Sequence, residues 1–306
     1  MREGPMKVVP GGIYPMLYSF FDANGRLDRD AMRRQVRAAI RSGAHGLAIL
    51  GLGGEIGKLD AGERRAVLDW VTEELGGRLP LSVTVAEPNV AEAVATAQAA
   101  RSAGAAFVIL QPPPVRGIPE SEQVSFFGTV ADKVDIPMAI QNAPEYLGVG
   151  LSIAGIADLS RRHPNVSVIK AEGSALFVRD LAEATEGRLA IFNGRCGLEL
   201  TDNLRAGCRG MIPGLESVDV QARIYDLMQS GHAQDEEEAE RLYASLLPMI
   251  VFMIQSIDSF LCYGKRIAAR RLGLGPVHDR APSLAPHPVG LAWADRLSAH
   301  LGPFPT

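Results

Sequence analysis

Short apolar runs alternate with amphipathic segments from end to end of this 306-residue chain, and that alternation limits the fold more than any other feature. The runs read as strands at 8–16 (VVPGGIYPM), 46–50 (GLAIL), 81–85 (LSVTV), 106–110 (AFVIL), 136–140 (IPMAI), 166–170 (VSVIK), 189–193 (LAIFN) and 210–213 (GMIP). They are nearly continuous in apolar residues, as parallel strands covered on both faces must be. Helical patterns fill the gaps, notably 28–43, 61–76, 89–104 and 121–134. Asp28 and Asn89 stand where N-caps are expected, and Gly43, Gly76 and Gly104 follow their helices as C-terminal glycines do. Eight strands with eight connecting helices is the count of an α/β chain folded as a (β/α)8 TIM barrel. A doubly wound sheet shows the same alternation, but no Gly-x-Gly-x-x-Gly follows the first run, so the barrel is the better match.

A barrel takes roughly 250 residues. The expected division is therefore a barrel over 1–234 and a C-terminal helical extension over 235–306, packed on it. Within the extension, 235–273 reads as two helices broken near Pro248 and around Ser256. The acidic run 235–240 suits a solvated helix start, where the helix dipole favours negative charge. Residues 276–290 read as a loop by composition, with a short helix after them.

Composition excludes several classes of function. With 47% hydrophobic and 22% charged residues the chain is ordinarily globular rather than disordered. A formal net charge of -4, with no basic cluster interleaved with aromatics, argues against a nucleic-acid surface. Arg41, Arg64–Arg65 and Arg270–Arg271 read as solvated helix faces or ends. No apolar segment approaches the ~18 to 20 residues that span a bilayer, and MREGPMKVVPGG lacks the apolar core of a signal peptide. Cys196, Cys208 and Cys262 have neither an even count nor a metal-site spacing. The expectation is a cytoplasmic protein without membrane or nucleic-acid partners. The six histidines form no metal-binding pattern, and no serine sits in a Gly-x-Ser-x-Gly elbow, so neither a metal nor a serine nucleophile is expected.

In a barrel, substrates meet the C-terminal ends of the strands. By position the candidates are Tyr14, the loop GLGGE (51–55), Thr84, Glu87, Gln111, Gln141, Asn142, Lys170, Glu172, Asn193 and Arg195. Lys170 is the anomaly: it ends a strongly apolar strand in a chain where only five of 31 basic residues are lysines. A partly desolvated amine loses its proton more readily, and a neutral lysine attacks ketones. The plain alternative is a lysine that reaches solvent from the strand end or pairs with Glu172, which is two residues on and on the same face. The loop GLGGE reads either as a tight turn or as a nest of N–H groups for a carboxylate. Pro112–Pro114 stiffens the loop after the fourth strand, and the amides of Gln141 and Asn142 must be hydrogen-bonded if buried.

Several stretches, in this order and spacing, carry a family resemblance over essentially the whole length: GGIYPML (11–17), GLGGEIGKLDAGER (51–64), QNAPEYLG (141–148), VIKAEG (168–173) and NGRCGLELTDNLRAGCRGMIPG (193–214). The chain resembles the dihydrodipicolinate synthase and N-acetylneuraminate lyase superfamily. The resemblance implies a barrel with a C-terminal helical region, a homo-oligomer (tetramer or dimer), no cofactor, and a Schiff base between Lys170 and a small-molecule 2-keto acid. Three positions depart from the family pattern. Leu52 and Gly53 stand where two threonines are usual, Gln141 replaces the proton-shuttling tyrosine, and Tyr146 replaces the arginine that receives a dicarboxylate. Gln141, Ala143–Pro144, Lys170 and Glu172 together resemble the L-2-keto-3-deoxyarabonate dehydratase branch, although the glycine-rich loop does not.

The expected chemistry is dehydration of a 2-keto-3-deoxy sugar acid through an iminium on Lys170. Glutamine has no useful pKa near neutrality, so Gln141 orients groups while Glu172, Glu55 or a water moves the proton. Gly53 and Gly54, with the Glu55 backbone, are expected to hold the substrate carboxylate. Asn193 or Arg195 would meet distal hydroxyls, with Tyr14, Asn142 and Tyr146 nearby. Aldol cleavage through the same iminium is the second reading, and a non-catalytic ligand-binding or regulatory relative the third.

Overall fold

The computed structural model describes residues 10–305. Eight parallel strands form one sheet in the order β1-β8-β7-β6-β5-β4-β3-β2. They are β1 Gly12–Ile13, β2 Leu47–Ile49, β3 Leu81–Val85, β4 Phe107–Leu110, β5 Met138–Asn142, β6 Val166–Ala171, β7 Ala190–Asn193 and β8 Gly210–Met211. Met16 closes the ring, since it bridges in parallel both to Ala48 and to Gly214. The first expected strand began at residue 8, and residues 8 and 9 lie outside the described part.

An outer helix follows each strand: α1 Arg29–Arg41, α2 Ala61–Leu75, α3 Val90–Ser102 and α4 Glu120–Ala131, then, after a single turn α5 Pro144–Leu147, α6 Ile153–Arg162, α7 Ala175–Thr185, α8 Leu200–Ala206 and α9 Val218–Gln229. Their starts have the expected chemistry. Asp28 accepts the Ala31 N–H at 2.9 Å and Asn89 accepts that of Glu92 at 3.0 Å, each satisfying a donor that a helix start leaves free.

Two apolar layers follow from the alternation of side chains along each strand. Alternate strand residues such as Val83, Val108, Ile140 and Ile169 point outward against the helices. Tyr14, Phe107, Ile109, Val168 and Phe192 fill the inside. Tyr14 and Phe192 meet edge to face with centroids 5.3 Å apart, an arrangement contributing about 0.5–1.5 kcal/mol beyond simple burial. The barrel is thus plugged below its C-terminal rim, and polar side chains collect above the plug.

The extension comprises α10 Ala233–Met253, α11 Ile257–Ser259, a π-helical stretch Phe260–Gly264, α12 Lys265–Arg271 and α13 Pro288–Leu301. The expected break at Pro248 does not occur. Ala244 and Pro248 both face solvent, so water satisfies the carbonyl that proline leaves unpaired, while Tyr243, Leu246, Met249, Ile250 and Met253 are buried. The chain instead turns by 109° after Met253, where Ser256 caps the next helix by accepting the Ser259 N–H at 3.0 Å. Arg271 also departs from expectation: it is buried and forks onto Asp219 at 2.6 and 2.9 Å, whereas Arg270 is exposed. Among the described residues no single helix is long and apolar enough to cross a membrane.

Candidate active site

The i, i+2 spacing of Lys170 and Glu172 puts both side chains on the inner face of β6. There Lys170 Nζ lies 3.2 Å from Glu172 Oε2, with both side chains at least nine-tenths buried. Strand pairing sets Gln141 directly beside Lys170. Gln141 Nε2 donates to the same Glu172 oxygen at 2.8 Å, and its Oε1 accepts from Gln111 Nε2 at 3.0 Å. The buried amides are therefore satisfied in a chain that ends on the carboxylate. Glycine at 194 leaves room for this placement, because a Cβ there would displace the Glu172 carboxylate.

Lys170 and Glu172 form the floor of a cavity of about 380 Å³, counting its open mouth. Tyr146 and Arg195 supply the polar side of that mouth, and Leu52, Ile254, Ile257 and Phe260 the apolar side. Arg195 sits in left-handed backbone geometry (φ 51°), which carries its guanidinium to Gly173 O at 3.1 Å and Glu199 Oε2 at 3.0 Å. Burial pushes the Tyr146 phenol up to about 12, with the Glu172 carboxylate adding to the rise and Arg195 opposing it. Tyr146 is a proton-bearing donor at neutral pH. Burial, then Glu216 and Glu172, likewise hold the Cys196 thiol well above its ordinary range, so it is no thiolate nucleophile.

The glycine loop meets the cavity through Leu52 and Gly53. Gly51 N–H points to Met16 Sδ at 3.3 Å, while Gly54 and Glu55 N–H donate to Gly51 O and Leu52 O at 3.0 Å each. Among the described residues, the N–H groups of Leu52 and Gly53 are the pair in this loop with no acceptor. The N–H groups of Gly54 and Glu55, expected to hold a substrate carboxylate, are thus already engaged within the loop.

Other candidates stand apart from the cavity. Glu55 points away from Lys170, into a buried cluster with Lys58 and Lys265. Tyr14 packs inside the barrel plug. Asn142 holds Leu151, accepting its N–H at 2.8 Å, and Asn193 spans Gly173 O and Asn203 Oδ1 at 2.8 and 2.9 Å, so both brace loops at the rim. Glu87 accepts from Thr96 Oγ1 at 2.9 Å between outer helices, and Thr84 is buried. Sequence reasoning did not find the wall residues Ile254, Ile257 and Phe260. They are ordinary apolar residues locally, and only the 109° turn brings them over the barrel. Among the described residues no group of His, Cys, Asp or Glu forms a metal site.

Known proteins are similar to this chain in sequence and in fold. The dihydrodipicolinate synthetase family model matches residues 9–284. A 4-hydroxy-tetrahydrodipicolinate synthase of Pelobacter propionicus is 28% identical over 239 residues, covering 78% of this chain and 80% of that protein. An L-2-keto-3-deoxyarabonate dehydratase of Azospirillum brasilense is 29% identical over 248 residues, with 78% of each covered. In fold, the chain superimposes on the crystal structure of YagE, a prophage protein of Escherichia coli K12 in complex with pyruvate, with a TM-score of 0.84 at 24% identity, covering 95% and 98% of the two chains. No branch stands out over the synthases in these comparisons. On the family match and the barrel together, the chain belongs to the dihydrodipicolinate synthetase family, among the class I aldolase-like lyases.

Proposed function

We propose that the protein is a Schiff-base lyase that dehydrates a 2-keto-3-deoxy sugar acid. The observation that carries this reading is the placement of one buried amine, Lys170, 3.2 Å from one buried carboxylate, Glu172, at the floor of the cavity. The neutral amine adds to the C2 carbonyl, and the carbinolamine takes up a proton from Tyr146 or solvent and loses water, giving a cationic iminium that acidifies C3. Glu172 takes a C3 proton and leaves an enamine. The enamine electrons then expel the C4 hydroxyl, which departs as water with a proton from Glu172 or Tyr146. Hydrolysis of the remaining iminium frees Lys170. The iminium is the electron sink, so neither metal nor organic cofactor has a step to perform.

The remaining roles follow from position. Leu52 and Gly53 N–H groups receive the substrate carboxylate. Gln141 holds Glu172 in place and moves no proton. Tyr146 and Arg195 meet the hydroxyl-bearing end. Glu55, Tyr14, Asn142 and Asn193 have structural tasks in this account. Assembly as a dimer or tetramer belongs to the same reading.

Aldol cleavage shares the iminium and enamine but removes the C4 hydroxyl proton and breaks C3–C4. The sugar-acid reading gains support from the glutamine, lysine and glutamate pattern shared with the dehydratase branch. Product analysis with five- and six-carbon 2-keto-3-deoxy acids separates the two: a dehydrated product without pyruvate supports dehydration, and pyruvate plus an aldehyde replaces it with cleavage.

A further inference from the structure

Lys265 is fully buried and has no part in the chemistry above. It begins α12 in the extension, and its Nζ pairs with Glu55 Oε2. The other oxygen of Glu55 accepts from Lys58 Nζ at 2.7 Å. Asp279 stands 3.7 Å from the Lys265 amine, and the Phe21 ring lies 5.3 Å from it. Burying an amine and a carboxylate exacts desolvation, and a hydrophobic pair often serves stability as well or better. Stability alone therefore explains this pair poorly.

Glu55 has a second unusual feature. Its backbone is left-handed (φ 55°, ψ 35°), a region that a residue with a Cβ keeps only where its surroundings impose it. The residue closes the loop in which Leu52 and Gly53 line the cavity and their N–H groups have no acceptor among the described residues. The same loop is held at two further points. Ser19 Oγ donates to Gly54 O at 2.7 Å, and Phe260, five residues before Lys265, packs on Gly53 so closely that a Cβ there would lie 3.0 Å from its ring. A Cβ on Gly54 would lie 3.2 Å from Leu50 N and 3.3 Å from Leu17 O, so this backbone would have to give way for a side chain.

We propose that Glu55 and Lys265 are a positioning pair through which the C-terminal extension aims the Leu52 and Gly53 N–H groups at the carboxylate of a bound 2-keto acid. The pair touches no substrate atom. Its effect is on affinity for the carboxylate-bearing ketone, because misdirected N–H dipoles lose most of their interaction with an anion. This rests on the Schiff-base reading given above.

The test compares borohydride trapping of two ketones on the full chain and on Glu55→Gln and Lys265→Met. Pyruvate carries a carboxylate and acetone does not. Both variants are expected to need about tenfold more pyruvate for half-maximal trapping, a loss typical of slightly misplaced binding groups. Trapping of acetone, normalised to folded protein by circular dichroism, should equal that of the parent. Glu55→Gln nearly preserves shape, so it carries the test alone if Lys265→Met does not fold. Unchanged half-saturation by pyruvate overturns the positioning role. Equal loss of pyruvate and acetone trapping also overturns it, since that marks general disturbance of Lys170. If the parent traps neither ketone at any concentration, the Schiff-base reading fails and this proposal falls with it, a result distinct from the other two.

Discussion

Gln141 donates from Nε2 to Glu172 Oε2 at 2.8 Å, so an amide without a transferable proton tethers the carboxylate nearest the Lys170 amine. The relationship separates two tasks, holding and proton transfer. Gln141, backed by Gln111, holds; Glu172 has the only one of the two side chains with chemistry for the proton.

Glu172→Gln should lower kcat by about 10²- to 10⁴-fold, the usual span for a general acid–base group. Trapping of pyruvate on Lys170 should persist, since adduct formation requires the amine itself. Single-turnover kinetics check this, and near-parental turnover would remove Glu172 from the mechanism.

Gln141→Leu removes the tether and leaves Gln111 Nε2 and one Glu172 lone pair without partners. Unsatisfied buried groups cost about 1–3 kcal/mol each, so urea titration should show a loss of at least that size. Turnover should fall less than in Glu172→Gln, because the carboxylate remains.

Tyr146 yields a pH prediction. Its phenol is raised to about 12 by burial first and by Glu172 second, so it stays protonated through the range of ordinary assays. Tyr146→Phe should therefore depress kcat/KM by a constant factor between about pH 6 and pH 10, the upper limit being the ordinary tyrosine pKa. A difference that shrinks toward the upper end of that interval would mean that the phenol titrates there and the parent loses its donor.

Glu216 concerns stability. It is fully buried, accepts from Tyr18 Oη at 2.6 Å, and burial raises its carboxyl above the ordinary value of 4.5 despite the opposing hydrogen bond. The folded state thus binds a proton that the unfolded state has released above that value, and stability falls as pH rises through the interval. Glu216→Gln keeps an acceptor for Tyr18 and has no proton to lose. Relative to the parent, its Tm should improve as pH rises above the ordinary carboxylate range; a constant offset would contradict the raised carboxyl.

Much of this was legible because it is local. Strand runs, N-caps and the two-residue step from Lys170 to Glu172 are all consequences of neighbours in sequence. Other features depend on what distant segments bring. Pro248 stayed helical because its unpaired carbonyl faces water and the opposite face is buried, neither of which its neighbours reveal. Arg271 looks like a surface residue until Asp219 is placed beside it. Glu55 was a chemical candidate by its place in a glycine loop, and only Lys265, from the far end of the chain, shows which way the carboxylate turns. Ile254 and Ile257 carry no sequence signal for a site wall, since their place depends on the turn after α10.

The proposed chemistry depends first on Lys170 forming an iminium with a 2-keto acid. Borohydride reduction of the full chain with pyruvate, and with a panel of 2-keto-3-deoxy acids, followed by peptide mass mapping, tests it directly. One covalent adduct is expected, located on Lys170 and lost in Lys170→Ala. No adduct with any member of the panel, or an adduct on another lysine that survives Lys170→Ala, would contradict it.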